Sequence, residues 1–266
     1  SIPVTAFWVA DTARRFPEIV REMESAGHET GTHSLYHETV GDSLFEIPGT
    51  YPLLPEEVQP RIKLATDILE DIVGHKVVSW RCPRLFGGTH VTNALESLGY
   101  ECDATYPMYY YNEQLFPYHP SQENWTEQGS LNLIEIVQFA DMGMESKDAN
   151  GRDKDQWPLY RTQSTAEFIP HIESFMSYLE KNDQSQKPIV LCFYFHPWEF
   201  WEMPEGVIHF GEGGVLPDPF LTKGCGKYCL NQVELLIDWL KSKEAAFLTA
   251  GQCASKWKNI LAQTDP

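Results

Sequence analysis

Two histidines stand four residues apart in the run Gly27-His28-Glu29-Thr30-Gly31-Thr32-His33-Ser34-Leu35-Tyr36-His37. On a helical turn, His33 and His37 would project from the same side and could share one metal ion. Neutral imidazole suits zinc, cobalt, nickel or iron, and a third protein ligand would still leave positions open for water and substrate. The same spacing also arises by chance on solvated helices, so further residues have to join the pair. His28 and Glu29, just after a glycine that stops a helix, read as structural groups tying down the turn.

Arg81 is the second candidate, in Ser79-Trp80-Arg81-Cys82-Pro83 at the end of a short strand. A guanidinium there can hold a carboxylate through a bidentate pair, or form an ordinary strand-end ion pair. Cys82 reads as a small buried apolar residue. The third is His196, in His196-Pro197-Trp198-Glu199 directly after the most apolar run of the chain. Histidine can give or take a proton near neutral pH, although a structural histidine would read the same way. Trp198, Phe200 and Trp201 could form a stacking surface for a sugar ring, or core. Cys225 and Cys229 leave free thiols, a disulfide and a zinc site all open.

The elements that must position these groups follow from periodicity. Ile2 to Val9 reads as a strand. Asp11-Thr12 can cap a helix over 13–26 with Phe16, Ile19, Val20 and Met23 on one face. A second helix runs from Leu54-Pro55 to about Gly74, then the strand Val77–Trp80, a helix over 89–98 stopped by Gly99, and a strand over 100–104. Residues 105–163 lose periodicity apart from a strand-like Leu133–Val137, as a functional loop does. A helix over 165–181, a buried strand over 189–195, a helix over 227–243 and a strand over 246–249 complete the alternation. The expected fold is a single α/β domain over residues 1–266 with a parallel sheet, open or barrel-like. Ligands of such folds sit at the carboxyl ends of the strands.

Composition narrows the function. Thirty-eight acidic against 20 basic residues give a net charge of −18, which disfavours nucleic acid and anionic membrane surfaces. The longest purely apolar run, Ile189 to Phe195, is far short of the roughly 20 residues that span a bilayer. No phosphate-cradling loop, dinucleotide fingerprint or nucleophile elbow is present, so nucleotide-dependent chemistry is not expected.

Taken in order, these pieces resemble the polysaccharide deacetylases, carbohydrate esterase family 4 with its NodB-homology domain. The likeness starts at Val4-Thr5-Ala6-Phe7-Trp8-Val9. His33-Ser34-Leu35-Tyr36-His37 matches the family's His-(Ser/Thr)-x-x-His motif, Arg81-Cys82-Pro83 is similar to Arg-x-Pro, and Tyr194-Phe195-His196 is similar to Leu-x-His. Asp103 to Tyr106 and His196-Pro197-Trp198-Glu199 resemble the branch with peptidoglycan-deacetylase-like and allantoinase-like members. The resemblance implies a distorted (β/α) barrel and metal-dependent amide hydrolysis. His33 and His37 would hold a divalent metal, zinc with cobalt or nickel as alternatives. Arg81 would orient the catalytic-base carboxylate, and His196 would act as general acid. Pro83, Tyr194 and Trp198 would contact substrate, an N-acetylated polysaccharide or a small amide.

Two departures matter. No Asp-Asp pair occurs in the chain, whereas the family draws its base and third metal ligand from one on an upstream strand. Either the chain lacks its first strand here, or it is a carbohydrate-binding pseudoenzyme. Leu85 and Tyr194 also replace the usual residues and would reshape the pocket for the acetyl methyl group. An allantoinase-like amide hydrolase is the alternative among enzymes.

Overall fold

The computed structural model describes residues 2–264 except 184, 205 and 212. The chain divides into two compact units, one formed by Ser1–Gln138 with Phe247–Pro266, the other by Phe139–Ala246.

The first unit is built on five strands, β1 (Thr5–Trp8), β2 (Glu29–Thr32), β3 (Ser79–Trp80), β4 (Cys102–Asp103) and β5 (Ile134–Glu135). All neighbours are parallel and the sheet order is β1-β2-β3-β4-β5. Each strand therefore lies beside its predecessor, the winding of a (β/α) barrel, whereas a doubly wound sheet reverses its order at a switch point. The crossovers carry α1 (Ala10–Arg15), α2 (Pro17–Ser25), α3 (Pro55–Val73) and α4 (Thr89–Leu98), with the short α5 (Met108–Tyr111) after β4. Gly74 and Gly99, at φ 78° and 79°, end α3 and α4 in the left-handed conformation that glycine adopts without a Cβ clash.

α3 links two parts of the core through one face. Val58 and Ile62 pack with Trp80, Val91, Leu95 and Leu133, while Ala65 and Leu69 pack with Ala10, Ala13, Val20 and Leu35. The spacing i, i+4, i+7, i+11 is that of an apolar helical stripe.

The helix expected over 13–26 is instead two helices. Pro17 disfavours a helical residue before it, and Phe16 sits at φ −133°, ψ 53°. Val9 rather than Asp11 precedes the first helix, and Asp11 pairs within it with Arg14 and Arg15 at 2.6 and 2.7 Å. Of the apolar face expected there Val20 is buried, whereas Phe16 and Ile19 are exposed.

Glu29 fastens the sheet to the last helix, Ala250–Thr264. Its carboxylate accepts hydrogen bonds from Thr5 Oγ1 at 2.7 Å, Ser79 Oγ at 2.5 Å and the Gly251 N–H at 3.1 Å. Thr5 Oγ1 also accepts the Ala250 N–H at 2.7 Å. Glu29→Ala is expected to cost about 1–3 kcal/mol in urea unfolding, because these donors lose a charged acceptor together. A loss below a few tenths would show that water replaces the carboxylate freely.

The second unit contains α6 (Leu159–Thr162), α7 (Thr165–Asn182), the hairpin β6 (Ile208–Phe210) and β7 (Gly213–Val215), α8 (Pro219–Thr222) and α9 (Lys227–Ser242). Phe139 is at its centre, with ring contacts to Phe168, Phe175 and Phe193 at 6.0, 5.5 and 5.4 Å. The run 189–195 is not the buried strand expected. Ile189 is 38% exposed, and a backbone bond from the Phe139 N–H to the Cys192 carbonyl at 3.0 Å helps to hold the run. Aromatic packing, with Phe195 against Tyr160 and Tyr194 against Trp157, places its side chains instead of a strand ladder. Residues 246–249 also form no strand and lead into the last helix, which periodicity did not reveal. Among the described residues no helix is long and apolar enough to cross a membrane.

Candidate functional site

In the first unit the carboxyl ends of the parallel strands deliver the candidate residues. His33 follows β2, Arg81 follows β3, Asp103 ends β4, and Gln138 lies three residues beyond β5. His33 Nδ1 donates to the Arg81 carbonyl at 2.8 Å. A carbonyl can only accept, so this bond fixes the proton on Nδ1 and orients the ring.

His37 meets His33 edge to face, with ring centroids 5.0 Å apart. The segment between them is a bend, not the helical turn that the spacing suggested. Ser34 and His37 both occupy the left-handed region, at φ 63° and 61°. Glu38 organises the bend by accepting from Ser34 Oγ at 3.1 Å and the Tyr36 N–H at 2.6 Å, with Arg61 3.6 Å away. Arg84 donates to the His37 carbonyl at 3.0 Å. Arg84 and Leu85 are themselves left-handed at φ 61° and 59°, a strained pair for side chains with a Cβ. Nothing in the sequence singled out Glu38 or Arg84. Among the described residues no third His, Cys, Asp or Glu joins the histidines in a metal-sized group.

The Arg81 guanidinium lies over the Phe7 ring, 4.5 Å from its centroid. Phe7 in turn lies so close to Gly31 that a Cβ there would come within 2.6 Å of the ring, so glycine is required for this layer. Arg81 Nε donates to the Ala104 carbonyl at 2.8 Å and a terminal nitrogen to Gln138 Oε1 at 3.0 Å. These two donors therefore engage the β4 and β5 ends. Pro83 is buried at the start of a single 3-10 turn. Cys82 is fully buried and accepts the Trp80 indole N–H at 3.1 Å, and burial pushes its thiol up.

The aperiodic segment begins with a second layer of aromatic side chains. Tyr106, Tyr118 and Trp125 are buried, with Tyr106 edge to face against both at 5.7 and 5.6 Å.

The second unit carries the other candidates. His196 precedes a 3-10 turn, Pro197–Phe200, and its ring is stacked by Trp198 at 5.6 Å and met edge-on by Trp157 at 5.1 Å. Its Nδ1 lies 3.0 Å from Glu199 Oε1, which also accepts the His196 backbone N–H at 2.8 Å. Trp157 Nε1, Tyr160 Oη and Arg161 Nε donate to the same carboxylate at 2.9, 2.8 and 3.1 Å. The Glu199 and Arg161 side chains are both 0% exposed. Burial raises the Glu199 carboxyl, but hydrogen bonds from His196, Trp157 and Tyr160 outweigh it and hold the group below the ordinary glutamate value. Tyr194 donates to Asp155 at 2.6 Å and stacks on Trp157. Burial pushes the Asp155 carboxyl up to about 6, against the Tyr194 hydrogen bond.

Glu199 and its clamp are the functional groups that sequence reasoning missed. A signal existed for Glu199: glutamate three residues after a capping position, with proline between, reaches back to the cap N–H. Trp157, Tyr160 and Arg161 lie in the aperiodic segment and carried none.

The family model for polysaccharide deacetylase matches residues 1–102. A search among curated proteins finds no match. Among solved structures, PuuE allantoinase superposes with a TM-score of 0.58 at 17% identity over 96% of this chain and 67% of that one. A probable polysaccharide deacetylase from Pseudomonas aeruginosa PAO1 gives 0.58 at 16% identity over 97% and 68%. The chain thus spans about two thirds of either protein and shares their fold. It resembles the polysaccharide deacetylases in the sequence of its first 102 residues, which hold both histidines and Arg81.

Proposed function

We propose that the chain carries the residues of a metal-dependent amide hydrolase that removes acetyl groups from N-acetylated sugars of a peptidoglycan-like or chitin-like polysaccharide. One observation carries this reading: the paired His33 and His37 rings just beyond β2, with the His33 ring oriented by its Nδ1 bond to the Arg81 carbonyl. Buried structural histidines do not need two imidazoles edge to face on a strained bend. The donor set fits a divalent ion in part, since His33 and His37 provide two ligands and the described residues provide no third of the same kind.

Zinc, or cobalt or nickel in its place, would be held by His33 and His37 and when bound would polarise the amide carbonyl and lower the pKa of a water. Arg81, fixed by Ala104 and Gln138, presents a cation to the carboxylate of a general base. By the resemblance His196 would be the proton donor to the departing amine nitrogen, with Glu199 holding its Nδ1 and stabilising the imidazolium. Trp198 and Tyr194 supply the aromatic face against which a sugar ring packs.

Calorimetry with zinc and cobalt tests the reading, together with acetate release from N-acetylglucosamine polymers, using the chain and a version extended upstream. The extended protein is expected to bind one ion and release acetate, and His33→Ala to lose both while melting normally. Metal-free polysaccharide retention without acetate release would make the chain a binding protein. Hydrolysis of a small cyclic amide alone would make it allantoinase-like.

A further inference from the structure

Asp103 and Glu135 are register partners on β4 and β5, and both are 0% exposed. Glu135 Oε1 accepts the N–H groups of Thr105 and Tyr106 at 3.1 and 2.7 Å, and Asp103 Oδ1 accepts the Thr105 hydroxyl. Each carboxyl therefore has one oxygen satisfied. The other two, Asp103 Oδ2 and Glu135 Oε2, are buried and find no donor when both groups are drawn as carboxylates. Two ionised acids on adjacent strands would leave both oxygens unsatisfied and repel, whereas a single proton between them satisfies both.

We infer that Asp103 and Glu135 hold one proton in common, and that the single negative charge of the pair is the counter-charge that fixes Arg81 at the carboxyl ends of the parallel strands. Arg81 is placed for this, since its guanidinium binds the Ala104 carbonyl, one residue beyond Asp103, and Gln138, three beyond Glu135. Gln138 closes the connection by donating its own amide to the Ala104 carbonyl at 2.7 Å. The other titratable groups facing the pair are the Cys82 and Cys102 thiols and the Tyr106 and Tyr118 hydroxyls, all neutral in this setting because burial pushes each up. Arg81 is the cation acting on Asp103. Burial pushes Asp103 up to about 7 and raises Glu135 well above its ordinary value, as expected of two acids competing for one negative charge.

The test uses the full chain at pH 8 with Asp103→Asn, Glu135→Gln and the double variant. Each single amide can donate to the remaining carboxylate, so one charge persists and Arg81 stays in place. In the double variant the charge is gone. The wild type is expected to show the infrared C=O stretch of a protonated carboxyl, absent from either single variant. Exchange of the Arg81 Nε–H, followed by NMR, should stay slow in both singles and accelerate at least about tenfold in the double, with a melting loss exceeding the sum of the singles. No protonated carboxyl in the wild type would overturn the proposal. So would a double variant that melts additively with Arg81 still protected. Neither readout depends on catalysis, so a failed hydrolysis assay and a failed carboxyl pair are told apart.

Discussion

Glu199→Ala is expected to lower stability by about 3–5 kcal/mol, because it strands a buried guanidinium. Arg161 and Glu199 are both wholly buried, and the other two Arg161 nitrogens are already committed to the Lys223 and Phe220 carbonyls at 2.7 and 2.9 Å. Neutral carbonyls do not balance the cation once the carboxylate is removed. Trp157 and Tyr160 would lose their acceptor in the same step. Urea unfolding should show the full loss in Glu199→Ala, a smaller one in Glu199→Gln, and partial recovery in an Arg161→Met/Glu199→Leu double variant. Glu199→Gln should also change the His196 tautomer seen by nitrogen NMR, because an amide can donate to Nδ1 where the carboxylate only accepts. A loss under about 1 kcal/mol in Glu199→Ala would mean that water or a rearranged partner reaches Arg161.

The second large effect is a loss of stability as pH rises from about 4 to 7. The folded-state value of Asp103 is raised to about 7 by burial, whereas the unfolded carboxyl ionises near 3.9. Between those values the folded chain holds a proton that the unfolded chain has released, so stability falls as pH rises. The shift is worth on the order of 4 kcal/mol, spread over about pH 4 to 7 at up to roughly 1.4 kcal/mol per pH unit. Asp155, raised to about 6, adds in the same direction over the lower part of the window. Glu199 acts oppositely: its folded value is depressed, so its contribution is complete above the ordinary glutamate value and is lost as pH falls below it. Unfolding free energies at pH 4.5, 6 and 8 should therefore decline across the series, and Glu135→Gln should flatten the decline by removing the second raised carboxyl of the pair. A flat profile in the wild type would show that water enters the β4–β5 interior.

Local sequence was a good guide where one short-range rule settled the backbone. Gly99 ended the helix Thr89–Leu98 at the expected residue, and Gly74 closed α3, because a left-handed cap is strongly biased toward glycine. The strand that leads into Arg81 was legible in the short apolar run Val77–Trp80 between helices, whereas β2, which carries His33, was not, because Glu29-Thr30-Gly31-Thr32 offers no apolar run. Elsewhere local preference was overridden. The run 189–195 has the composition of a buried strand, but it forms no strand and the rings decide its course. The segment from His33 to His37 carries helical spacing, yet Glu38 and Arg84 bind the backbone around it and draw it into left-handed conformations that spacing cannot reveal. Arg161 was invisible because its meaning depends on Glu199, 38 residues away in sequence.

The division of the chain has a consequence for the order in which it assembles. β1 to β5 pair with near neighbours in sequence, so most of the first unit can organise as it leaves the ribosome. Its closing contacts cannot, because the bond from the Ala250 N–H to Thr5 spans 245 residues and that from Gly251 to Glu29 spans 222. Until the whole second unit has been synthesised, Thr5 and Glu29 wait without the helix that caps them. Nascent chains halted near residue 246 would thus present an open sheet end, and chaperone engagement should be greatest over that interval.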